Sequence, residues 1–208
     1  MQLKMQYEDL KLYLQSSEII DFDGAAGEEI RKVADEIWGR SKDTLDYIKN
    51  AFEYVRDEIG HSRDIKGKIV TCKASEVLAA REGICLAKSH LLAALLRYKG
   101  VPAGFCYQRL ILNDKTAPYL ILHGLNGVYI ESLNKWIRLD ARGNKAGVDA
   151  QFSLYEEQIA FPIRPEKGEE DIPIVFAVPD ENVVKALTEY KTLEDLWVNL
   201  PKELHKID

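Results

Sequence analysis

From Ile84 to Tyr98 the chain reads Ile-Cys-Leu-Ala-Lys-Ser-His-Leu-Leu-Ala-Ala-Leu-Leu-Arg-Tyr, a run that is apolar on nearly every side at helical spacing. Ile84, Ala87, Leu91, Ala94 and Leu95 share one face, and Leu92 and Leu96 widen it. A helix apolar around most of its circumference must be covered by other elements, so it belongs at the centre of the fold. Gly100 and Pro102 stop it. The pattern then changes to strands: Val101–Leu112, Tyr119–Ile130 with breaks near Gly124 and Gly127, and the short apolar Lys135–Leu139. Asn113-Asp114 and Ser132–Asn134 supply the turns. Helices gathered before a run of strands predict an α+β domain.

The flanking segments read as scaffold. Leu10–Leu14 alternates apolar residues and predicts a short strand. Ala26–Trp38 places Ile30, Val33, Ala34 and Ile37 on one helical face, with Gly39 as its stop. A second helix from about Asp43 to Ile59 carries Leu45, Ile48, Phe52, Val55 and Ile59. The polar stretch His61–Thr71 reads as a surface loop, followed by a short helix from about Ser75. Pro162–Asp171 reads as an exposed loop, with the acidic run Glu166–Asp171 solvated. Ile172–Val178 predicts a late strand, and Glu181–Tyr190 and Leu193–Val198 are weakly amphipathic.

A chain of 208 residues can bury a substantial core, and 46% hydrophobic with 30% charged residues is the make-up of a globular protein. A net charge of −6 gives no support for nucleic-acid or anionic-membrane partners, which call for a basic surface. The first residues lack the apolar core of a signal peptide, and no run reaches the ~18 apolar residues of a membrane span. The expected location is therefore cytoplasmic. Cys72, Cys85 and Cys106 are an odd number at irregular spacing, against a disulfide framework in such a compartment. No C-x-x-C pair suggests structural zinc.

Cys85 opens the central helix. A helix N-terminus stabilises a thiolate through its unpaired N–H groups and dipole, and the same groups can hold an oxyanion. Gly83 lets the chain turn tightly and leaves room for a substrate. His123 follows the strand-like Tyr119-Leu120-Ile121-Leu122, and Asp140 closes Trp136-Ile137-Arg138-Leu139. A hairpin turning near Leu133 sets His123 opposite about residue 143, within a few positions of Asp140. Thiol, imidazole and carboxylate in this order suggest a nucleophile, its base and the group that orients the base. Each also has a plain alternative: an inert core cysteine, a structural histidine, a turn-starting aspartate. His90 lies five positions after Cys85, about 140° around the helix, and is excluded as the base. Ser89 is expected to pack, and Cys106 to lie in a sheet facing the central helix. Gln108 and Arg109 are candidates to line a cleft, and Arg142 and Asn144 to order the loop after Asp140.

Gly83-Ile84-Cys85, Lys88-Ser89-His90-Leu91-Leu92-Ala93-Ala94-Leu95-Leu96-Arg97 and Gly100-Val101-Pro102-Ala103 together resemble the core of transglutaminase-like proteins. His123 and Trp136-Ile137-Arg138-Leu139-Asp140 match its later parts, and Ala74-Ser75-Glu76-Val77-Leu78 resembles the segment before the cysteine. The resemblance covers about residues 45–145, so residues 1–208 read as a single transglutaminase-like domain with an N-terminal helical and a C-terminal extension. It implies a papain-like fold, with the cysteine helix packed on an antiparallel sheet, and the catalytic set Cys85, His123 and Asp140. Two positions depart from the pattern. His123 is followed by Gly124-Leu125 where many relatives have a small residue and an aromatic. No Gln lies between Cys72 and Cys85, where papain-type enzymes carry an oxyanion donor. Only the Cys85 N–H can be named for that task.

The implied chemistry is attack of the Cys85 thiolate on the amide carbonyl of a peptide or protein, through a thioester, with no metal and no organic cofactor. Hydrolysis by a protease or amidase is the favoured outcome. Transamidation at glutamine is the alternative, and a binding module without catalysis is the rival from another class. A metal-binding role for Cys85 and His123 stands behind these. Substrate identity and oligomeric state are not legible.

Overall fold

The structure, a computed structural model, describes residues 2–205. Its elements run β1 (Lys4–Met5), α1 (Glu28–Gly39), α2 (Thr44–Glu53), β2 (Gly60–His61), α3 (Ala74–Ala80), β3 (Glu82–Gly83) and α4 (Cys85–Tyr98). Then come β4 (Ala103–Asn113), β5 (Ala117–Ile130), β6 (Lys135–Leu139), β7 (Glu170–Phe176), α5 (Glu181–Glu189) and α6 (Leu193–Val198). Five strands form one sheet in the order β1-β7-β4-β5-β6, antiparallel except for the β1–β7 pair. The two-residue strands β2 and β3 pair with each other in parallel.

The apolar helix lies at the centre, as its composition requires. α4 packs against α1, α2 and α3 and against β4 and β5. Every residue from Leu86 to Arg97 is buried. Its four buried polar side chains all bind the backbone. Ser89 Oγ donates to the Leu86 carbonyl and His90 Nδ1 to that of Cys72, while Arg97 reaches the carbonyls of Ala103, Gln15 and Ala177. Lys88 Nζ donates to the carbonyls of Ile59 at 2.5 Å, Arg142 at 3.0 Å and Arg56 at 3.3 Å. Burial thus carries a hydrogen-bonding requirement that each of these side chains meets at one atom or more, although His90 Nε2 is left without a partner.

Several sequence expectations need correction. Leu10–Leu14 is a 3₁₀ helix: Asp9 accepts the Lys11 N–H at its start, and the buried Tyr13 hydroxyl donates to the Val175 carbonyl. Local capping and one anchored aromatic outweigh the alternating pattern. β5 is continuous through Gly124 and Gly127. The second helix changes its winding at Tyr54–Glu58, a π-helical turn that closes it. Cys106 lies in a smaller cluster with Tyr13, Leu125 and Val175, apart from the core around α4. Pro162–Asp171 is more built than an exposed loop. Glu169 is buried and accepts N–H groups from Ile111 and Arg164, and Asp171 pairs with Arg138.

Candidate active site

Cys85 is the first residue of α4, and Ile84 before it offers no side chain to cap the helix. The first backbone N–H groups therefore remain available at the thiol. Gly83 does not have the positive φ that a tight left-handed turn would need. Its missing Cβ is required by packing: such an atom would stand 3.0 Å from Thr71 Oγ1 and 3.3 Å from Ala87 Cβ. That space is filled by protein, so Gly83 makes no room for a substrate.

The β5–β6 ladder ends at the Asn126–Leu139 pair, one residue before Asp140. There the strands part and the carboxylate turns to the imidazole. His123 Nε2 lies 2.8 Å from Asp140 Oδ2, and both side chains are buried. Asp140 also accepts the Ala160 N–H at 3.0 Å and the Arg142 N–H at 3.2 Å. Burial alone would raise this carboxyl, but the His123 charge and these hydrogen bonds hold it below the ordinary carboxylate range. Because Asp140 occupies Nε2, the ring nitrogen left for the thiol is Nδ1. Phe161 stands edge-on to the His123 ring at 5.2 Å, closing one side.

Cys85, His123 and Asp140 are thus brought together. Burial opposes charge on Cys85, yet the charge and hydrogen bond of His123, with a further contribution from His61, hold the thiol well below its usual value. Burial likewise opposes the His123 cation, and Asp140 and Cys85 together raise it far above the ordinary imidazole range. Both directions favour a thiolate–imidazolium pair. Burial pushes Cys72 and Cys106 the other way, to about 12.

His61 is the residue the sequence reading missed, because its polar neighbours predicted a surface loop. It is 6% exposed, is paired through β2 to Gly83 of β3, and lines the same cleft as Cys85. Two-residue strands leave no periodicity to detect. Three residues on, Asp64 binds both guanidinium nitrogens of Arg142 and, at 2.7 Å, Lys145. The loop after His61 is thereby tied to the loop after Asp140. Lys88, one turn along α4 from Cys85, ties the residue just before β2 to the loop after Asp140 through the Ile59 and Arg142 carbonyls. Arg142 and Asn144 do order the Asp140 loop, Asn144 by exchanging hydrogen bonds with Ala150. Gln108 and Arg109 do not line the cleft: Gln108 is buried against Asp171, and Arg109 pairs with Glu170.

Cys85, His61 and His123 open onto a cleft of about 510 Å³. Its walls are largely apolar, built from Ile84, Leu110, Ile121, Phe161, Trp197 and Leu200. Among the described residues no helix is long and apolar enough to cross a membrane, and no three His, Cys, Asp or Glu side chains converge as a metal site requires.

Three comparisons bear on this arrangement. No curated protein matches the chain. A solved structure from Cytophaga hutchinsonii, named a "Putative Cysteine Protease", is similar with a TM-score of 0.52 at 20% identity. The match covers 65% of this chain and 43% of that one, so it spans less than half of the larger protein. At this identity the likeness shows the fold: a mixed α+β, papain-like transglutaminase core with an antiparallel-rich sheet. The family model of the transglutaminase-like superfamily matches residues 31–141, more than half of the sequence and the span that holds Cys85, His123 and Asp140, and the chain belongs to that superfamily.

Proposed function

We propose that the protein is a cysteine-dependent hydrolase of peptide or protein amides, with Cys85 as nucleophile, His123 as acid and base, and Asp140 as the orienting carboxylate. The observation that carries this reading is the buried His123–Asp140 hydrogen bond beside a thiol at an uncapped helix N-terminus.

The Cys85 thiolate attacks the amide carbonyl carbon, and the C=O electron pair moves onto oxygen. Backbone N–H groups at the start of α4 face that developing charge. When the C–N bond breaks, His123 gives the Nδ1 proton to the departing amine, leaving a thioester on Cys85. Water then gives a proton to His123 and attacks the thioester, whose C–S bond breaks to release the acid and restore the Cys85 thiolate. Asp140 stabilises the charged imidazole and fixes its tautomer throughout. The apolar cleft suits an acyl group with an aliphatic or aromatic side chain. An amine in place of water would complete a transamidation by the same steps.

The test is to trap the acyl-enzyme from a peptide and glutamine-amide library, identify the acyl group by mass spectrometry, and chase it with water or a primary amine. A thioester on Cys85 discharged by water supports hydrolysis, and discharge only by amine replaces it with transamidation. Cys85→Ala is expected to lower turnover by about 10⁴-fold or more. If that variant keeps its activity, and Cys85 is alkylated no faster than Cys72 and Cys106 near neutral pH, the enzyme reading is wrong.

A further inference from the structure

We infer that His61 is the side-chain donor of the oxyanion site, sharing the carbonyl oxygen of the substrate with the backbone N–H of Cys85. This rests on the reading of Cys85 as nucleophile. Papain-type enzymes use a glutamine upstream of the cysteine for this task, and this chain has no Gln between Cys72 and Cys85.

The fold brings His61 to the same place by another route. β2 pairs with β3 in the register His61–Gly83, two residues before Cys85. Backbone hydrogen bonds from Gly60 to the Arg81 carbonyl at 2.9 Å and from Ser62 to the Gly83 carbonyl at 3.2 Å fix both sides of His61. The imidazole lines the cleft with Cys85, and its buried Nδ1 has no partner. A buried ring nitrogen without a partner calls for an explanation, and the place of this ring in the cleft beside Cys85 supports a catalytic one.

The groups around the ring favour a neutral donor over a second base. Burial lowers its proton affinity first, and the Arg142 cation lowers it further. The Cys85 sulfur and Asp64 work in the opposite direction without overcoming them. A neutral imidazole keeps one N–H to donate and competes poorly with His123 for the thiol proton. His123 has no spare donor, because Asp140 holds Nε2 and Nδ1 is the nitrogen left for the thiol. Of the cationic side chains of the cleft, Arg142 and Lys145 are committed to Asp64 and Arg164 to Asp114 and Glu169, while Arg63 lies over the Trp197 ring.

The test separates acyl transfer, which develops an oxyanion, from alkylation, which does not. The full chain is acylated with p-nitrophenyl acetate and, in parallel, alkylated with iodoacetamide near pH 7, with Cys85→Ala marking the site. His61→Phe keeps a ring without the donor and is expected to slow acylation by at least about tenfold, towards the 10²–10³-fold that a lost oxyanion donor costs. Alkylation of Cys85 should stay within about threefold of the native rate, and His61→Gln should recover much of the acylation because it restores an N–H. Should His61→Phe fail to fold by circular dichroism, His61→Leu takes its place and His61→Gln supplies the same comparison. Equal losses of acylation and alkylation would mean that His61 acts on the thiol, and unchanged acylation would mean that it has no role; either overturns the proposal. A native chain that is not acylated at Cys85 fails earlier, at the proposed function, and takes this inference with it.

Discussion

Gly124 lies against Leu86 so closely that a Cβ on the glycine would stand 2.7 Å from Leu86 Cδ2 and 3.1 Å from Leu86 Cα. The contact holds β5 on the first turn of α4, with His123 and Cys85 on adjoining residues of the two elements. Gly124→Ala must push strand and helix apart. We expect a stability loss of about 1–3 kcal/mol, the usual range for overpacking, and a larger fractional loss of Cys85 alkylation rate than of folded protein. Thermal melts beside iodoacetamide kinetics measure both; a variant with native alkylation kinetics contradicts the proposed alignment.

The thiolate–imidazolium pair fixes the shape of the pH profile. Cys85 is held below the ordinary thiol range, so the thiolate is lost only as pH falls through that lowered value. His123 is raised, so the imidazolium is lost only as pH rises through its elevated value. Alkylation at pH 6–7 should give one adduct per chain, on Cys85, since burial pushes Cys72 and Cys106 up to about 12. In His123→Ala the acid limb of the alkylation profile should move up towards the ordinary thiol pKa of about 8.5. Peptide mapping across pH 4–10 reads this, and a limb that stays in place removes His123 from the pair.

Asp64 gives an acid-sensitive tie between the loops. Burial would raise its carboxyl, but Arg142 and Lys145 bring it down to about 2 from an ordinary 3.8. A depressed carboxyl contributes stability that is complete above its unfolded pKa and fades as pH falls through the folded one, here between about 4 and about 2. Asp64→Asn should cost about 1 kcal/mol at neutral pH, the upper end for a partly exposed ion pair. Unfolding titrations at pH 7 and pH 2 should show the difference between native and variant closing at the lower pH.

Lys88→Met removes the donor that the Ile59 and Arg142 carbonyls share. An unsatisfied buried acceptor costs roughly 1–3 kcal/mol, while removing a buried ammonium offsets part of that loss. We expect a net destabilisation of about 2 kcal/mol by denaturant unfolding, with a fall in turnover as the Asp140 loop loosens. Turnover unchanged at full folding would show that this tie does not set the position of Asp140.

The central helix and β6 were legible because each carries an apolar run bounded by clear stops, while Glu181–Tyr190 and Leu193–Val198, the last two helices, gave only weak amphipathic patterns. Cys85 and Asp140 stand out because they lie at the ends of such elements, Cys85 opening α4 and Asp140 following β6, whereas His123 lies within β5 and is marked only by its apolar neighbours. The relation of His123 to Asp140 needed a register that pattern alone placed only approximately. His61 was illegible, since two residues of parallel pairing across more than twenty positions leave no local trace. The misread segments share a cause: long-range partners. Tyr13 finds Val175, Gln108 finds Asp171, and Glu169 finds Ile111, and none of these pairings can be seen from within its own segment.

Trp197 of α6 lines the cleft with its ring under the Arg63 guanidinium at 4.8 Å, and the Pro201 carbonyl accepts the Leu122 N–H one residue before His123. Both tail residues lie well beyond the segment that matches the superfamily. One wall of the cavity is therefore hung on the framework from outside it, by a few contacts to residues neighbouring the reacting groups. Such a division lets evolution re-cut the shape that a substrate meets while leaving the bond-breaking atoms where they are.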